Sequence, residues 1–167
     1  RAILLEFLPF ENGRITMLKI GDSAPEFELL DENSAAISLV SLLADGQPLI
    51  LYFYPADFTP ACTMEACSIR DIHDDILGAD LKVVGVSPQS VASHQRFKTS
   101  HKLPFPLLFD EGKKVVRAYG VDGPMGFGVR RTTFLINAEK KILNRVNSEF
   151  FVGSHIKFIE AAIQSAT

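Results

Sequence analysis

The chain holds two cysteines, Cys62 and Cys67, and both fall in one stretch, Tyr52 to Asp71 (YFYPADFTPACTMEACSIRD). There a dense apolar run ends at Pro55, a short loop follows, and Thr59-Pro60 opens a helical pattern. Threonine is a favourable N-cap, and proline at the first helical position gives up no useful backbone bond. With Thr59 as cap, Cys62 is the third helical residue, among backbone N–H groups that lack intrahelical partners at the positive end of the helix dipole. A thiol so placed is favoured as its anion, and the thiolate is the nucleophile. Cys67 lies about a turn and a half deeper and is the less reactive of the two.

The spacing carries a second consequence. Five residues along an ideal helix separate two Cα atoms by roughly 8–9 Å, whereas a disulfide needs them within about 7 Å. A Cys62–Cys67 bond therefore cannot form on an intact helix, and cross-linking the pair requires the first turns to unwind. The plainer reading makes both cysteines small buried apolar residues; the Thr59-Pro60-Ala61-Cys62 turn after Pro55 favours chemistry at Cys62. A C-x-x-C pair, the mark of thiol-exchange proteins, is absent. Zinc binding lacks a second pair of ligands, since His73, His94, His101 and His155 are scattered. A Cys–His dyad is discounted: His73 is about 16 Å along the helix axis from Cys62, and the other histidines sit in polar helical stretches that read as surface.

The elements that must position this segment follow from pattern. The 167 residues are 47% hydrophobic and carry a formal net charge of −3, which suits one soluble domain with its own core and argues against a dedicated nucleic-acid binder. No apolar run reaches membrane-spanning length. Strands are expected at Leu49–Tyr54, Lys82–Ser87, Pro106–Phe109, Thr132–Ile136 and Ile142–Val146, the first two without polar alternation, as in strands covered on both faces. Helices are expected over Pro60–Leu77, Ser90–His101 with Ser90 as N-cap, Gly112–Tyr119, and Ser154–Ile163 with Ile156, Ile159, Ala162 and Ile163 on one stripe. Strands alternating with helices imply an α/β fold, a mixed and mostly parallel sheet between helical layers. Residues 1–16 read as an extension without chemistry, and 17–167 as the domain.

Taken together, Pro55-Ala56-Asp57-Phe58-Thr59-Pro60-Ala61-Cys62, with Glu65 and the second cysteine at 67, resemble the peroxiredoxin signature, and the second cysteine five residues on is similar to the Q subgroup, the bacterioferritin comigratory proteins. Asp22-Ser23-Ala24-Pro25-Glu26-Phe27, Gly85-Val86-Ser87, Tyr119-Gly120-Val121 and an arginine two residues before Thr133-Phe134 extend the resemblance over about Leu18 to Ile163. It implies a thioredoxin-like fold and a thiol-dependent peroxidase of hydrogen peroxide and organic hydroperoxides. Cys62 would attack the peroxide oxygen. The Thr59 hydroxyl, the Cys62 backbone N–H and the Arg131 guanidinium would stabilise the charge that develops. Pro55 would shield the sulfur, and Glu65 would orient Arg131 through a charge-assisted bond. Arg131 rather than Arg130 is chosen by its offset from Thr133-Phe134.

The same resemblance implies that the Cys62 sulfenic acid condenses with Cys67 to an intramolecular disulfide, that thioredoxin or a related dithiol protein reduces it, and that no metal or organic cofactor is required. It also implies a monomer, with a weak dimer as the alternative; a cytoplasmic setting is expected only because residues 1–16 make a poor signal peptide. Phe58, Met125 and Phe127 are candidates for an apolar rim, though core packing accounts for such residues equally well. Two other readings stay open: a thiol–disulfide oxidoreductase of the same architecture, and a redox sensor that changes partners when the helix unwinds.

Overall fold

The computed structural model describes residues 10–11 and 14–167; most of the expected 1–16 extension lies outside the described residues. Strands β1 (Phe10–Glu11) and β2 (Arg14–Ile15) pair antiparallel. The main sheet begins with β3 (Glu28–Leu30) and β4 (Ala36–Ser38), neither anticipated from the sequence because each is three residues long and no more than half-buried. Then follow α1 (Leu39–Leu43), β5 (Leu49–Phe53), α2 (Pro60–Asp71), α3 (His73–Gly78), β6 (Lys82–Ser87), α4 (Val91–His101), β7 (Leu107–Phe109), α5 (Lys114–Ala118), β8 (Thr132–Ile136), β9 (Ile142–Asn147) and α6 (Val152–Ala166). The seven-stranded sheet has the order β4-β3-β7-β6-β5-β8-β9. Parallel pairing is confined to β5, β6 and β7, and the flanking pairs are antiparallel. The sheet is thus mixed, with fewer parallel neighbours than strand–helix alternation suggests.

Period-two alternation on β5 explains the three layers. Leu49, Leu51 and Phe53 point into one core with Leu39 and Leu43 of α1 and Val115 and Val116 of α5. Ile50 and Tyr52, with Tyr54 just beyond the strand, point into the other, with Cys62, Ala66 and Ile69 of α2, Phe97 of α4 and Ile159 of α6. All five β5 residues are buried, as its unbroken apolar run requires. The helix expected over Pro60–Leu77 is broken at Ile72, whose φ of −108° and ψ of 11° leave the helical range between α2 and α3. Ser90 caps α4 as expected, its side chain accepting the Ser93 N–H at 3.2 Å.

The loop joining β5 to α2 is tied to the body by Asp57. One carboxylate oxygen accepts the Tyr54 hydroxyl at 2.7 Å. The other lies 2.7 Å from Ser93 Oγ and 2.8 Å from His94 Nδ1. His94 is fully buried, against the expectation of a surface position, and its Nε2 is 3.1 Å from the Leu108 carbonyl. Both ring nitrogens therefore face acceptors, and an imidazolium paired with the Asp57 carboxylate satisfies both. Burial opposes the Asp57 charge, but the His94 bond and charge, with the Tyr54 and Ser93 donors, hold its carboxyl below the usual carboxylate range.

Two outcomes are expected from this packing. Asp57→Asn leaves a buried charge unpaired and destabilises the fold by about 3–5 kcal/mol near neutral pH. A carboxyl held low contributes stability above its unfolded value and loses it as pH falls. Urea midpoints compared at neutral pH and near pH 3 should therefore show a smaller acid-side loss for the variant than for the natural chain. Gly85→Ala places a methyl 2.8 Å from the Tyr52 ring carbon that bears the hydroxyl and 2.9 Å from Leu107; such overpacking costs about 1–3 kcal/mol, readable in the same titration.

Candidate active site

Sheet register brings the reactive segment together. Phe53, the last residue of β5, pairs with Thr132, the first of β8, so Arg131 stands beside the end of β5, where the chain turns through Pro55 toward α2. Phe58 makes that turn in the left-handed region, at φ 62°, with its ring 5.2 Å from that of Phe97. Thr59 then occupies the N-cap position and Pro60 the first helical position. Cys62 is the third helical residue, as the sequence predicts, and only 2% exposed.

One guanidinium organises what lies beneath. Arg131 Nη2 donates to Cys62 Sγ at 3.3 Å, and Arg131 Nη1 donates to Glu65 Oε1 at 3.3 Å. Glu65, one helical turn after Cys62, is fully buried, so cysteine and glutamate share the face that α2 presents to the arginine. A guanidinium only donates, and here two of its nitrogens find acceptors in the Cys62 sulfur and the Glu65 carboxyl. Burial works against the Arg131 charge, but Glu65 and Cys62 raise its basicity further, so it stays protonated. Burial pushes the Glu65 carboxyl up to about 7, against the opposing pull of Arg131 and with Glu149 adding to the rise.

The expected residues take different positions around this centre. Arg131, Glu65 and Cys62 meet, and Arg130 is exposed as anticipated. Pro55 is half-buried, its carbonyl 3.4 Å from the Ser87 hydroxyl. Thr59 sits at the cap but does not cap: its hydroxyl donates to the Ala56 carbonyl at 3.0 Å, and no side-chain bond to the helix forms. That leaves the exposed Thr59 oxygen as an acceptor rather than the donor expected from the sequence. Cys67 is half-buried and Cys62 buried; neither is in a disulfide, and α2 is unbroken between them.

Of the expected apolar rim, Phe58 packs against Phe97 and His101. Met125 lines a cavity with Thr16, Arg117 and Asp122 that touches none of Cys62, Glu65 or Arg131, and Phe127 is exposed. The cavity that reaches Ala61, next to Cys62, is bounded by Met64, Phe150, Phe151 and Val152 and encloses about 450 Å³.

Two supporting residues escaped the sequence reading. Glu149 accepts the Arg131 backbone N–H at 3.2 Å through its carboxylate and the Arg131 Nε–H at 3.4 Å through its carbonyl. It reaches the site only because β9 folds back on β8, with Asn147 opposite Thr132. His155, read as a surface residue, is fully buried, with Nδ1 2.8 Å from Thr133 Oγ1 and 3.8 Å from Glu65 Oε2. The signal for His155 was present: Val152, His155, Ile159 and Ala162 are the buried positions of α6, at helical spacing.

Known proteins are similar to this chain in sequence and in fold. The model of the AhpC/TSA family matches residues 20–145. Peroxiredoxin Bcp of Bacillus subtilis is 39% identical over 132 residues, covering 75% of this chain and 83% of its own. The chloroplastic peroxiredoxin Q of Oryza sativa subsp. japonica is 40% identical over 155 residues, covering 89% and 70%. Among solved structures, peroxidoxin BcpB of Mycobacterium tuberculosis superposes with a TM-score of 0.82 at 34% identity, over 89% of this chain and 97% of that one. Peroxiredoxin Q of Xanthomonas campestris does so with a TM-score of 0.77 at 28% identity, over 84% and 92%. An arginine-bound cysteine in the opening turn of a helix, on this sheet and with these relatives, places the chain in the AhpC/TSA family as a peroxiredoxin of the Q/Bcp kind, a thiol peroxidase.

Proposed function

We propose that Cys62 is the peroxidatic thiolate and Cys67 the resolving thiol of a hydroperoxide reductase recycled by a thioredoxin-class dithiol protein. The observation that carries this reading is the 3.3 Å contact between the Arg131 guanidinium and Cys62 Sγ at the third position of α2. Attack of the sulfur on the terminal peroxide oxygen forms the S–O bond and breaks the O–O bond, and two electrons pass from sulfur to oxygen. The leaving alkoxide carries new negative charge, to which Arg131 and the unpaired N–H groups of the first helical turn are donors. Thr59, with its hydrogen given to Ala56, is an acceptor for the peroxide O–H and so orients the oxygen that sulfur attacks. Pro55 limits water at the sulfur.

The sulfenic acid then condenses with Cys67, releasing water. On the intact α2 the two Cα atoms stand roughly 8–9 Å apart, so the opening turns of the helix must unwind. Thr59, Pro60 and Met64 are exposed, so unwinding the first turn gives up chiefly the buried contacts of Cys62, with Glu65 and Ala66 buried in the turn beyond it. Asp57 holds the preceding loop in place and serves as the fixed side of this hinge. The apolar cavity beside Ala61 suits the hydrocarbon part of an organic hydroperoxide, and the Xanthomonas campestris relative is described as having alkyl peroxide reduction activity.

With excess dithiol protein as reductant, Cys62→Ser should abolish peroxide consumption. Cys67→Ser should consume one equivalent in a single turnover, accumulate the sulfenic acid and fail to turn over. Peptide mass mapping of the peroxide-treated natural chain should find Cys62 joined to Cys67; peroxidase activity that survives in Cys62→Ser would overturn the assignment. Arg131→Gln should slow the first oxidation about 10²–10³-fold, the range for removing one transition-state donor, as followed by stopped-flow fluorescence.

A further inference from the structure

In the loop that carries the chain from β5 to the start of α2, Asp57 is the buried residue between Pro55 and Thr59. Pro55 and Ala56 are half-buried, Phe58 and Thr59 are exposed, and the Asp57 side chain has no accessible surface. The loop does not keep its shape unaided. Phe58 turns it at φ 62°, a conformation that a bulky residue holds only where its surroundings enforce it. Asp57 supplies the firmest of those restraints, bonded to Tyr54 at 2.7 Å, to Ser93 at 2.7 Å and to His94 at 2.8 Å. The other ties are looser: the Ser87 hydroxyl on the Pro55 carbonyl at 3.4 Å, and the Phe58 ring against Phe97.

The contacts of His94 fix both of its ring hydrogens. Nε2 lies 3.1 Å from the Leu108 carbonyl of β7, which can only accept. Nδ1 lies 2.8 Å from Asp57 Oδ2 and 3.3 Å from the Tyr54 hydroxyl. That hydroxyl already donates its hydrogen to Asp57 Oδ1, so it offers His94 only a lone pair. With acceptors at every contact, the ring carries a hydrogen on each nitrogen. Asp57, which receives donors from Tyr54, Ser93 and His94, carries the matching negative charge. The loop is thereby pinned, through the ring, to the backbone of a strand inside the main sheet.

This anchor is adjacent to a group that faces substrate. The Ala56 carbonyl, next to Asp57, accepts the Thr59 hydroxyl at 3.0 Å, and that bond aims the remaining lone pairs of Thr59. We propose that His94 is a positioning residue for the peroxide: through Asp57 it fixes the Ala56 carbonyl, and through that carbonyl it orients Thr59 to accept the peroxide O–H. This role rests on the reading of Cys62 as the nucleophile and of Thr59 as that acceptor, and extends it to a ring on α4. Breaking the His94–Asp57 pair leaves the sulfur its contact with Arg131, which comes from the start of β8 and not from this loop. What is lost is the alignment of the peroxide oxygen with the sulfur. The loss falls on peroxide and spares an electrophile that has no O–H to present.

The test uses the full chain with Cys67→Ser throughout, so that Cys62 alone reacts, and two reagents: hydrogen peroxide, and methyl methanethiolsulfonate, a small thiolate reagent with neither O–H nor N–H. Rates are read by stopped flow on the high-pH plateau, where the sulfur is fully ionised and a shifted midpoint is not mistaken for lost positioning. His94→Leu should slow the peroxide reaction about 10–100-fold, the size of a misplacement caused away from the chemistry, and leave the thiosulfonate reaction unchanged. His94→Asn, whose amide nitrogen can replace Nδ1 as a donor to Asp57, should stay closer to the natural rate. Ser93→Ala, a milder change to the same anchor, should slow peroxide selectively even if His94→Leu does not fold. In a Thr59→Val background, His94→Leu should add nothing. On the natural chain, nitrogen NMR of labelled histidine should find both ring nitrogens of His94 protonated at neutral pH. Equal losses with the two reagents, a further loss on top of Thr59→Val, or a neutral His94 ring overturns the proposal. So does a peroxide rate indifferent to His94→Leu, or to Ser93→Ala where His94→Leu does not fold. Thr59→Val reacting with peroxide at the natural rate refutes the reading of Thr59 as acceptor, and the role of His94 falls with it.

Discussion

A buried positive charge, on Arg131, sits where the end of β5, the start of α2 and the start of β8 meet, and the rest of the site depends on it. Removing a guanidinium from water costs several kcal/mol unless partners compensate. Here the compensation comes from the Cys62 sulfur, the Glu65 carboxyl and the Glu149 carbonyl, each accepting a guanidinium N–H. The same low-dielectric setting that makes the charge costly makes it effective, since its field on Cys62 is little screened. The acidity of Glu65 is governed by this balance: burial drives it up, Arg131 pulls it down, and the outcome of about 7 leaves the carboxyl close to the point at which it changes charge.

Rigidity and pliancy are divided between adjacent residues. Asp57 is held by Tyr54, Ser93 and His94, all anchored in the sheet or in α4. Five residues later, Cys62 sits in a first helical turn with exposed neighbours and an N-cap whose hydroxyl gives the helix no bond. The loop that aims the sulfur is therefore firm, while the turn that carries it lacks both a cap and much of a packed face. That contrast suits the two geometries of the proposed reaction: one in which the sulfur faces peroxide beneath Arg131, and another in which it meets Cys67.

Much of this was legible before any coordinates. The unbroken apolar runs at Leu49–Phe53 and Lys82–Ser87 specified buried strands because only strands covered on both faces dispense with polar alternation. Thr59-Pro60 specified a helix start, and counting from it put Cys62 in the third position. Resemblance in the motif supplied Arg131 and Glu65, which the structure brings within 3.3 Å of each other. The reading was weaker where position along the chain did not disclose burial. His94 and His155 lie in polar helical stretches, yet each has both ring nitrogens engaged, which lets an imidazole sit where solvent cannot reach. The strands β3 and β4 are too short and too exposed to leave a period.

Local order in the chain determined where a nucleophile could be raised, because helix capping, the proline at the first helical position and the cysteine spacing are all set within a dozen residues. Which groups would surround that nucleophile was decided only by the tertiary structure. Arg131 is opposite β5 by strand register, Glu149 arrives by the return of β9, and His155 by the packing of α6 against α2. Register and helix packing bring together residues dozens of positions apart, and the charge state of a buried carboxyl depends on all of them at once, so no window of sequence contains it.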